Sequence, residues 1–243
     1  MIILDCNVTL PCMMKKESIR QYMEEYKIRY CGLRSQYAVT YHPLDGNADL
    51  WNLVKDNPAI LPVFTALPSV GGDFPDEEEF AADVIKKKGI GVYFEPFGDE
   101  LTKSACLWTM GRYYEVLSSY KLPLMIKAEK ISFHVIYELS KSYPSLKIVL
   151  LDIRYAMIKD LYGLLDATRN LYLETSGLKG YRMIHDICKK YGAVRLVFGS
   201  RFPVFEPGTS LADLFYMDVS REEKQIVACN PHVFGDSFQE GGQ

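Results

Sequence analysis

The chain of 243 residues contains no apolar run near the ~20 residues that a bilayer-crossing helix needs, which excludes a transmembrane protein of the helical kind. It carries no excess of positive charge. Lys and Arg number 28 against 31 Asp and Glu, a net charge of -3, and no long basic stretch gathers them, so no nucleic-acid surface is expected. The segment Met1 to Asp5 lacks a basic stretch followed by a long apolar one, so no signal peptide is expected. Cys-x-x-Cys is absent. The six cysteines (Cys6, Cys12, Cys31, Cys106, Cys188 and Cys229) are scattered along a chain large enough to need no staples, and read as reduced thiols of a cytoplasmic protein. Histidine is scarce, with four in all. No glycine-rich turn follows the first apolar segment and no P-loop occurs, which weighs against an open nucleotide-binding sheet. Internal repeats, low-complexity tracts and linkers are missing too. The rest of the composition, 48% hydrophobic and 24% charged, is ordinary and excludes a disordered or fibrous chain.

Short apolar runs alternate with amphipathic stretches throughout. Eight strands are expected at Met1–Asp5, Tyr37–Tyr41, Ile60–Thr65, Gly91–Phe94, Leu124–Lys127, Lys147–Leu151, Asn170–Glu174 and Arg195–Phe198. Most are apolar on both faces, as in a parallel sheet covered by helices. Helices are expected between them. Asp76–Lys88 opens on acidic residues and closes on three lysines, matching the helix dipole at both ends. Glu129–Tyr143 places Ile131, Val135, Ile136 and Leu139 on one face and stops before Pro144. Tyr181–Tyr191 stops before Gly192, and Arg221–Cys229 follows Ser220 with Glu223 three residues on, a capping box. Eightfold strand–helix alternation in this length points to an α/β fold, one (β/α)8 TIM barrel spanning residues 1–243.

Five segments in order carry a resemblance. Ile2-Ile3-Leu4-Asp5-Cys6-Asn7-Val8-Thr9 resembles an opening Ile-Asp-x-His-x-His. Leu122-Pro123-Leu124-Met125-Ile126-Lys127 resembles a fifth strand that ends in His. Tyr143-Pro144-Ser145-Leu146-Lys147-Ile148-Val149-Leu150-Leu151-Asp152 resembles Tyr-Pro-x-Leu-Lys-Ile-Val-x-x-His. Asn170 to Gly177 resembles Asn-x-Tyr-x-x-x-Ser, and Arg195 to Pro203 resembles Arg-x-x-Phe-Gly-Ser-Asp-x-Pro. Together they resemble the amidohydrolase-related family of metal-dependent TIM-barrel hydrolases and decarboxylases. The resemblance implies the barrel, and a site at the C-terminal ends of its strands.

The departures from that family fall on its metal site. Where the resemblance puts metal-site residues or their neighbours, this chain has Asn7, Thr9, Lys127, Asp152 and Arg201. No imidazole remains, and Lys and Arg would repel a divalent cation. No metal and no cofactor are therefore expected in the usual place. Glu95, at the end of the fourth strand, stands where some metal barrels of this type place a carboxylate. Two outcomes fit these residue types. Lys127 and Arg201 pair with Glu95 and Asp152 and simply fill the vacated site, or the cations bind an anion, for which Arg has the bidentate geometry. Both can hold at once.

Lys127 is the candidate catalytic group, as a Schiff-base amine of lowered pKa, with Glu95 and Asp152 moving protons; an ordinary ion pair is the plainer alternative. Asn7, Thr9, Arg201, Ser176 and His42 are candidate ligand-binding residues. His42 also reads as a turn residue before Pro43, and Ser176-Gly177 as a plain turn. Tyr93, Phe94, Pro96 and Phe97 suit a pocket lining or a core, while Trp108, Tyr113 and Tyr114 suit a cover for the entrance. His134 and His185 fall in helices. Cys6 reads as packing rather than as a nucleophile. The expected partner is a small carboxylate or phosphate, with a protein partner or homo-oligomer also open. The expected function is a barrel that has lost metal catalysis and binds that anion. The alternative is an active hydrolase or lyase acting on a small carboxylate, without metal or with one relocated to Glu95, Asp152 and His42.

Overall fold

Eight short strands, each too apolar to face water, are accommodated by a sheet that curls round on itself. The computed structural model describes residues 1–14, 16–69, 71–95 and 105–235. The strands are β1 (Leu4–Leu10), β2 (Tyr30–Ser35), β3 (Ile60–Thr65), β4 (Gly91–Tyr93), β5 (Leu124–Lys127), β6 (Ile148–Leu151), β7 (Leu171–Glu174) and β8 (Leu196–Val197). Each lies parallel to the next in chain order. The seam beyond the short β8 is bridged by two backbone hydrogen bonds. The N–H of Cys6 donates to the Phe198 carbonyl and that of Thr9 to the Phe202 carbonyl, both at 3.0 Å. The result is the nearly closed (β/α)8 barrel that the sequence pattern implies.

The outer layer consists of α1 (Lys16–Glu25), α2 (Gln36–Thr40), α3 (Pro43–Val54), α4 (Glu77–Lys86), α5 (Leu107–Ser119), α6 (Phe133–Ser142), α7 (Ile158–Ala167), α8 (Met183–Tyr191), α9 (Pro207–Tyr216), α10 (Arg221–Ala228) and α11 (Pro231–Phe234). Their ends follow the expected chemistry. Asp76 accepts the Glu79 N–H at the start of α4, Ser132 caps α6, and Ser220 with Glu223 forms the capping box of α10. Gly192 ends α8 at φ +88°, a conformation costly for any other residue.

One expected strand is a helix. Tyr37–Tyr41, rich in residues of high β propensity, lies largely in α2, and the real second strand is Tyr30–Ser35. Ser35 decides this locally, because its hydroxyl accepts the Ala38 N–H and starts the helix. Tertiary packing fixes it, since Gly46 of α3 lies so close to α2 that a Cβ there would fall 2.3 Å from the Ala38 nitrogen. The first strand also starts later and runs further than Met1–Asp5, to Leu10.

Side chains alternate between two apolar clusters. Val92, Ile126, Ile148, Leu150 and Leu173 point outward to the helices. Tyr93, Met125, Val149 and Leu151 point into the barrel. This two-residue period determines which strand-end residues face the axis.

Candidate functional site

Continuing that period one step past the inward residues puts Glu95 after Tyr93, Lys127 after Met125, Glu174 after Tyr172 and Arg34 after Gly32 on the inner side. Asn7 reaches the same space by another route. Leu4 and Cys6 already point inward, so strict alternation would turn Asn7 out. The pairing of β1 with β2 shifts register between Asp5 and Val8, and this bulge re-aims Asn7 toward the axis. Asp5 faces the other way, accepting from the Tyr22 hydroxyl of α1 and from the Ser200 N–H at 3.0 Å.

Asn7 is the hub. Its amide nitrogen donates to Asp152 Oδ1 at 2.9 Å and to Glu174 Oε2 at 2.8 Å, and its amide oxygen accepts from Arg34 Nη1 at 2.7 Å. The Arg34 guanidinium lies 4.9 Å from the centre of the Tyr93 ring, within cation–π range. Arg201 Nε donates to Asp152 Oδ1 at 2.9 Å, and its guanidinium sits 4.4 Å from the Phe205 ring centre. Ser176 gives both its hydroxyl (2.7 Å to Oε2) and its N–H to Glu174. Gly199 leaves room for that carboxylate, since a Cβ there would lie 2.5 Å from Glu174 Oε1. At the other side of the mouth, Glu95 accepts from the Tyr93 hydroxyl and faces Lys127 Nζ at 3.4 Å and Lys130 Nζ at 3.3 Å.

The structure thus brings together Asn7, Asp152, Arg201 and Ser176 in one network, and Lys127 with Glu95 in a second. Thr9 donates its backbone N–H to the Phe202 carbonyl beside Arg201, and no side-chain bond from it to the network occurs among the described residues. His42 is not in the group. The strand expected before it is α2, and its imidazole caps α3, accepting the Asp45 N–H at 3.3 Å on an exposed turn. The relocated metal set of Glu95, Asp152 and His42 is therefore not assembled. Tyr113 and Tyr114 are buried in the packing of α5 and do not cover the entrance, whereas Trp108 is exposed on that helix. Pro96 and Phe97 lie outside the described residues.

Sequence reasoning missed Arg34, Glu174 and Asp5 as members of the network. Arg34 was hidden by the misplaced second strand. The signal available for it was the run Cys31-Gly32-Leu33, apolar and followed by a cation, in step with Met125-Ile126-Lys127. For Glu174 the signal was a carboxylate closing an otherwise apolar strand.

Two of the joined residues hold unusual backbone. Asp152 (φ 55°), directly after β6, and Arg201 (φ 61°), four residues past the end of β8, are left-handed. Such conformations in non-glycine residues cost ~1–3 kcal/mol and cluster where a site needs a side chain aimed in a particular way. Here each is aimed at the other.

Burial governs the protonation of the carboxylates. It pushes the Glu174 carboxyl up to about 7, against hydrogen bonds from Ser176 and Asn7 that favour the charged form, and Asp152 nearby adds to the rise. Asp5 is raised by burial in spite of its bonds to Ser200, Tyr22 and Asn7. Glu95 is also pushed up by burial, but the Tyr93 hydroxyl and the two lysines outweigh this and hold it below its ordinary value. Burial, with Glu174 and Asp5 close by, drives the Cys6 thiol well above its usual range, which makes it inert as a nucleophile.

The polar atoms of this network are engaged with one another. The Asn7 oxygen is engaged by Arg34, Asp152 Oδ1 by Asn7 and Arg201, and Glu174 Oε2 by Asn7 and Ser176. No group of three His, Cys, Asp or Glu able to hold a metal occurs among the described residues. Arg34, Asn7, Asp152 and Glu174 are all buried and fill the axis, while Arg201 and Lys127 remain 26% and 23% exposed at its rim.

A nearly closed parallel barrel with polar and charged side chains converging at the C-terminal strand ends is the architecture of many metal-dependent and metal-free enzymes. The amidohydrolase family profile matches residues 44–230, and the chain belongs to that family. No curated protein sequence matches it. Solved structures share the fold at low identity. A Staphylococcus aureus protein assigned as an amidohydrolase superposes with TM-score 0.75 and 11% identity, over 97% of this chain and 100% of that one. Dihydroxybenzoic acid decarboxylase from Polaromonas sp. JS666, with bound manganese and 2-nitroresorcinol, gives 0.71 and 14% over 93% and 94%. A 5-carboxyvanillate decarboxylase from Novosphingobium aromaticivorans, complexed with manganese and a nitrobenzoic acid, gives 0.69 and 13% over 93% of each chain.

Proposed function

We propose that this chain is an amidohydrolase-family barrel that binds a small organic carboxylate at its mouth through side-chain cations, with no divalent metal at the family's usual position. The observation that carries the proposal is the Arg34–Asn7–Asp152–Arg201 chain of hydrogen bonds. It joins Asn7, Asp152 and Arg201, which stand where the resemblance implies the family's metal site, to the Arg34 guanidinium from β2. The Nη groups of Arg201 have no partner among the described residues and lie at the rim, in the fork geometry that suits a carboxylate. Lys127 is a second cation at the rim. Its 3.4 Å contact with Glu95 is long for a charge-assisted bond, and Lys130 can hold Glu95 when Lys127 turns to a ligand. Structural neighbours are decarboxylases of hydroxylated benzoic acids, which makes 2,6-dihydroxybenzoate a suitable probe.

A second reading is favoured by one observation. Glu174, at about 7, holds a proton near neutral pH and is a general acid in waiting. In that case the mouth acts as a metal-free lyase, and Glu174 supplies the proton that replaces the departing carboxylate. Glu174 has no exposed surface, so such a role requires Asn7 to swing away first.

Both are tested on the purified protein. Elemental analysis is expected to show far less than one zinc or manganese per chain. Calorimetric titration with 2,6-dihydroxybenzoate is expected to show one site. Arg201→Ala and Lys127→Ala should each weaken that site by ~10- to 100-fold, the range for losing a hydrogen bond to a charged group. Stoichiometric metal, or unchanged affinity in both variants, would sink the metal-free carboxylate site. Carbon dioxide release from the bound probe would select the lyase.

A further inference from the structure

A large concavity lies at the opposite end of the barrel from the mouth. It has a volume of about 930 Å³ and is formed by the N-terminal starts of β2 to β6 together with α11. Its floor is apolar, from Leu61, Ile90, Leu122, Pro123, Val233 and Phe234. Its rim carries four cations, Arg29, Lys88, Lys121 and Lys147, and no carboxylate side chain lines it among the described residues.

The charge arrangement is unusual in three ways. First, Lys88 and Lys121 make no ion pair among the described residues, although acidic residues outnumber basic ones in the chain as a whole. Second, both sit in the left-handed backbone region, Lys88 at φ 54° and Lys121 at φ 57°, where glycine would be relaxed by ~1–2 kcal/mol. A cation is thus kept at each turn against the local backbone preference. Third, Lys147 is half buried, donates to the Val233 carbonyl at 2.8 Å, and is held below its ordinary pKa by that burial and by Lys121. Like charges brought together beside an apolar floor stabilise a ligand that brings the opposite charge.

We propose that this cavity at the N-terminal end of the barrel is a second binding site, for a small organic anion with an apolar ring-sized body and a carboxylate or phosphate head. The body would rest on Leu122, Ile90 and Phe234, with the head between Lys121 and Lys147. Tyr30 and Tyr120, also in the lining, offer aromatic edges to such a body. The volume falls in the range of small-molecule sites, and the site shares no residue with the mouth.

The test uses the full chain and 8-anilinonaphthalene-1-sulfonate, an apolar anion that fluoresces on leaving water. One saturable site per chain is expected. Lys147→Met should weaken it ~10-fold or more, and Lys88→Met with Lys121→Met together ~3- to 10-fold, with the effect fading at high salt. The paired variant changes only exposed side chains, so it reports even if Lys147→Met fails to fold. N-phenyl-1-naphthylamine, which lacks the sulfonate, should respond to none of these substitutions. Displacement of the probe by phenyl phosphate or by phenylacetate supports the site and identifies the preferred head. Unchanged probe affinity in the paired variant, or displacement by neither competitor, would overturn the proposal. So would an affinity that falls as protein concentration rises, which would assign this face to a second copy of the chain.

Discussion

Replacing Arg34 by methionine is expected to lower stability by about 3–5 kcal/mol near pH 7.5, the cost of removing one partner from a buried charged network. Arg34 is 6% exposed, donates to Asn7 and lies over Tyr93. Methionine fills much of the same space but leaves the Asn7 amide oxygen buried without a donor, itself a loss of ~1–3 kcal/mol. It also removes a positive charge from a pocket that holds Asp152 and Glu174. In a chain of this size each 1 kcal/mol shifts the melting temperature by ~2–4 °C, so a drop of ~6–20 °C is expected. Arg34→Lys should recover only part of this, because an ammonium restores charge without the planar fork that reaches Asn7 while stacking on the ring. Urea unfolding followed by circular dichroism measures both variants. A loss under ~1 kcal/mol for Arg34→Met would mean that the guanidinium is not what holds the network together.

That residue also shows where the sequence stops being legible. The barrel could be read because buried parallel strands leave continuous apolar runs, and Ile60–Thr65 and Leu124–Lys127 form strands with the boundaries those runs suggest. The second strand could not, because Gly32 and Arg34 interrupt its run while Tyr37-Ala38-Val39-Thr40-Tyr41 offers a better local pattern. Packing of Gly46 against Ala38, a contact between residues on two helices, overrides that propensity. The candidate site was partly legible for a similar reason. Strand-end positions follow from the two-residue period, so Lys127, Glu95 and Arg201 could be placed at the mouth from sequence. The pairing of Arg201 with Asp152, and the role of Asn7 as the bridge, depend on a bulge in β1 and on two left-handed residues. Neither feature has a signature in a single sequence, since asparagine or glycine was not needed to make them. His42 went astray because its position was counted from a strand that is a helix.

Glu174 should make the chain less stable as pH rises through neutrality. Its carboxyl titrates near 4.5 when unfolded and at about 7 when folded. Between those values the folded chain holds a proton that the unfolded chain has released, so its contribution is complete below pH ~4.5, declines with rising pH, and is gone above pH ~7. A shift of this size corresponds to about 3 kcal/mol. Asp5 is shifted in the same direction and adds to the slope, while Glu95 is shifted the other way and acts only below its ordinary value. Comparing the parent with Glu174→Gln cancels both. The variant is expected to be less stable than the parent at pH 5, because Oε1 accepts the Ser176 N–H while Oε2 accepts from Asn7 and the Ser176 hydroxyl, and a glutamine must turn its NH2 donor toward one of these two sets of donors. It should then gain on the parent by about 2.5 kcal/mol between pH 5 and pH 8. The same proton acts on ligand binding. While Glu174 is neutral, Arg34 and Arg201 face Asp152 alone and the mouth favours an anion; once Glu174 ionises, the two carboxylates offset both guanidinium groups. Affinity for 2,6-dihydroxybenzoate should therefore fall above pH ~7 in the parent and stay level in Glu174→Gln. Urea unfolding and calorimetric titration across pH 5 to 8 check the two effects. A parent–variant stability difference that does not move with pH would place the proton elsewhere.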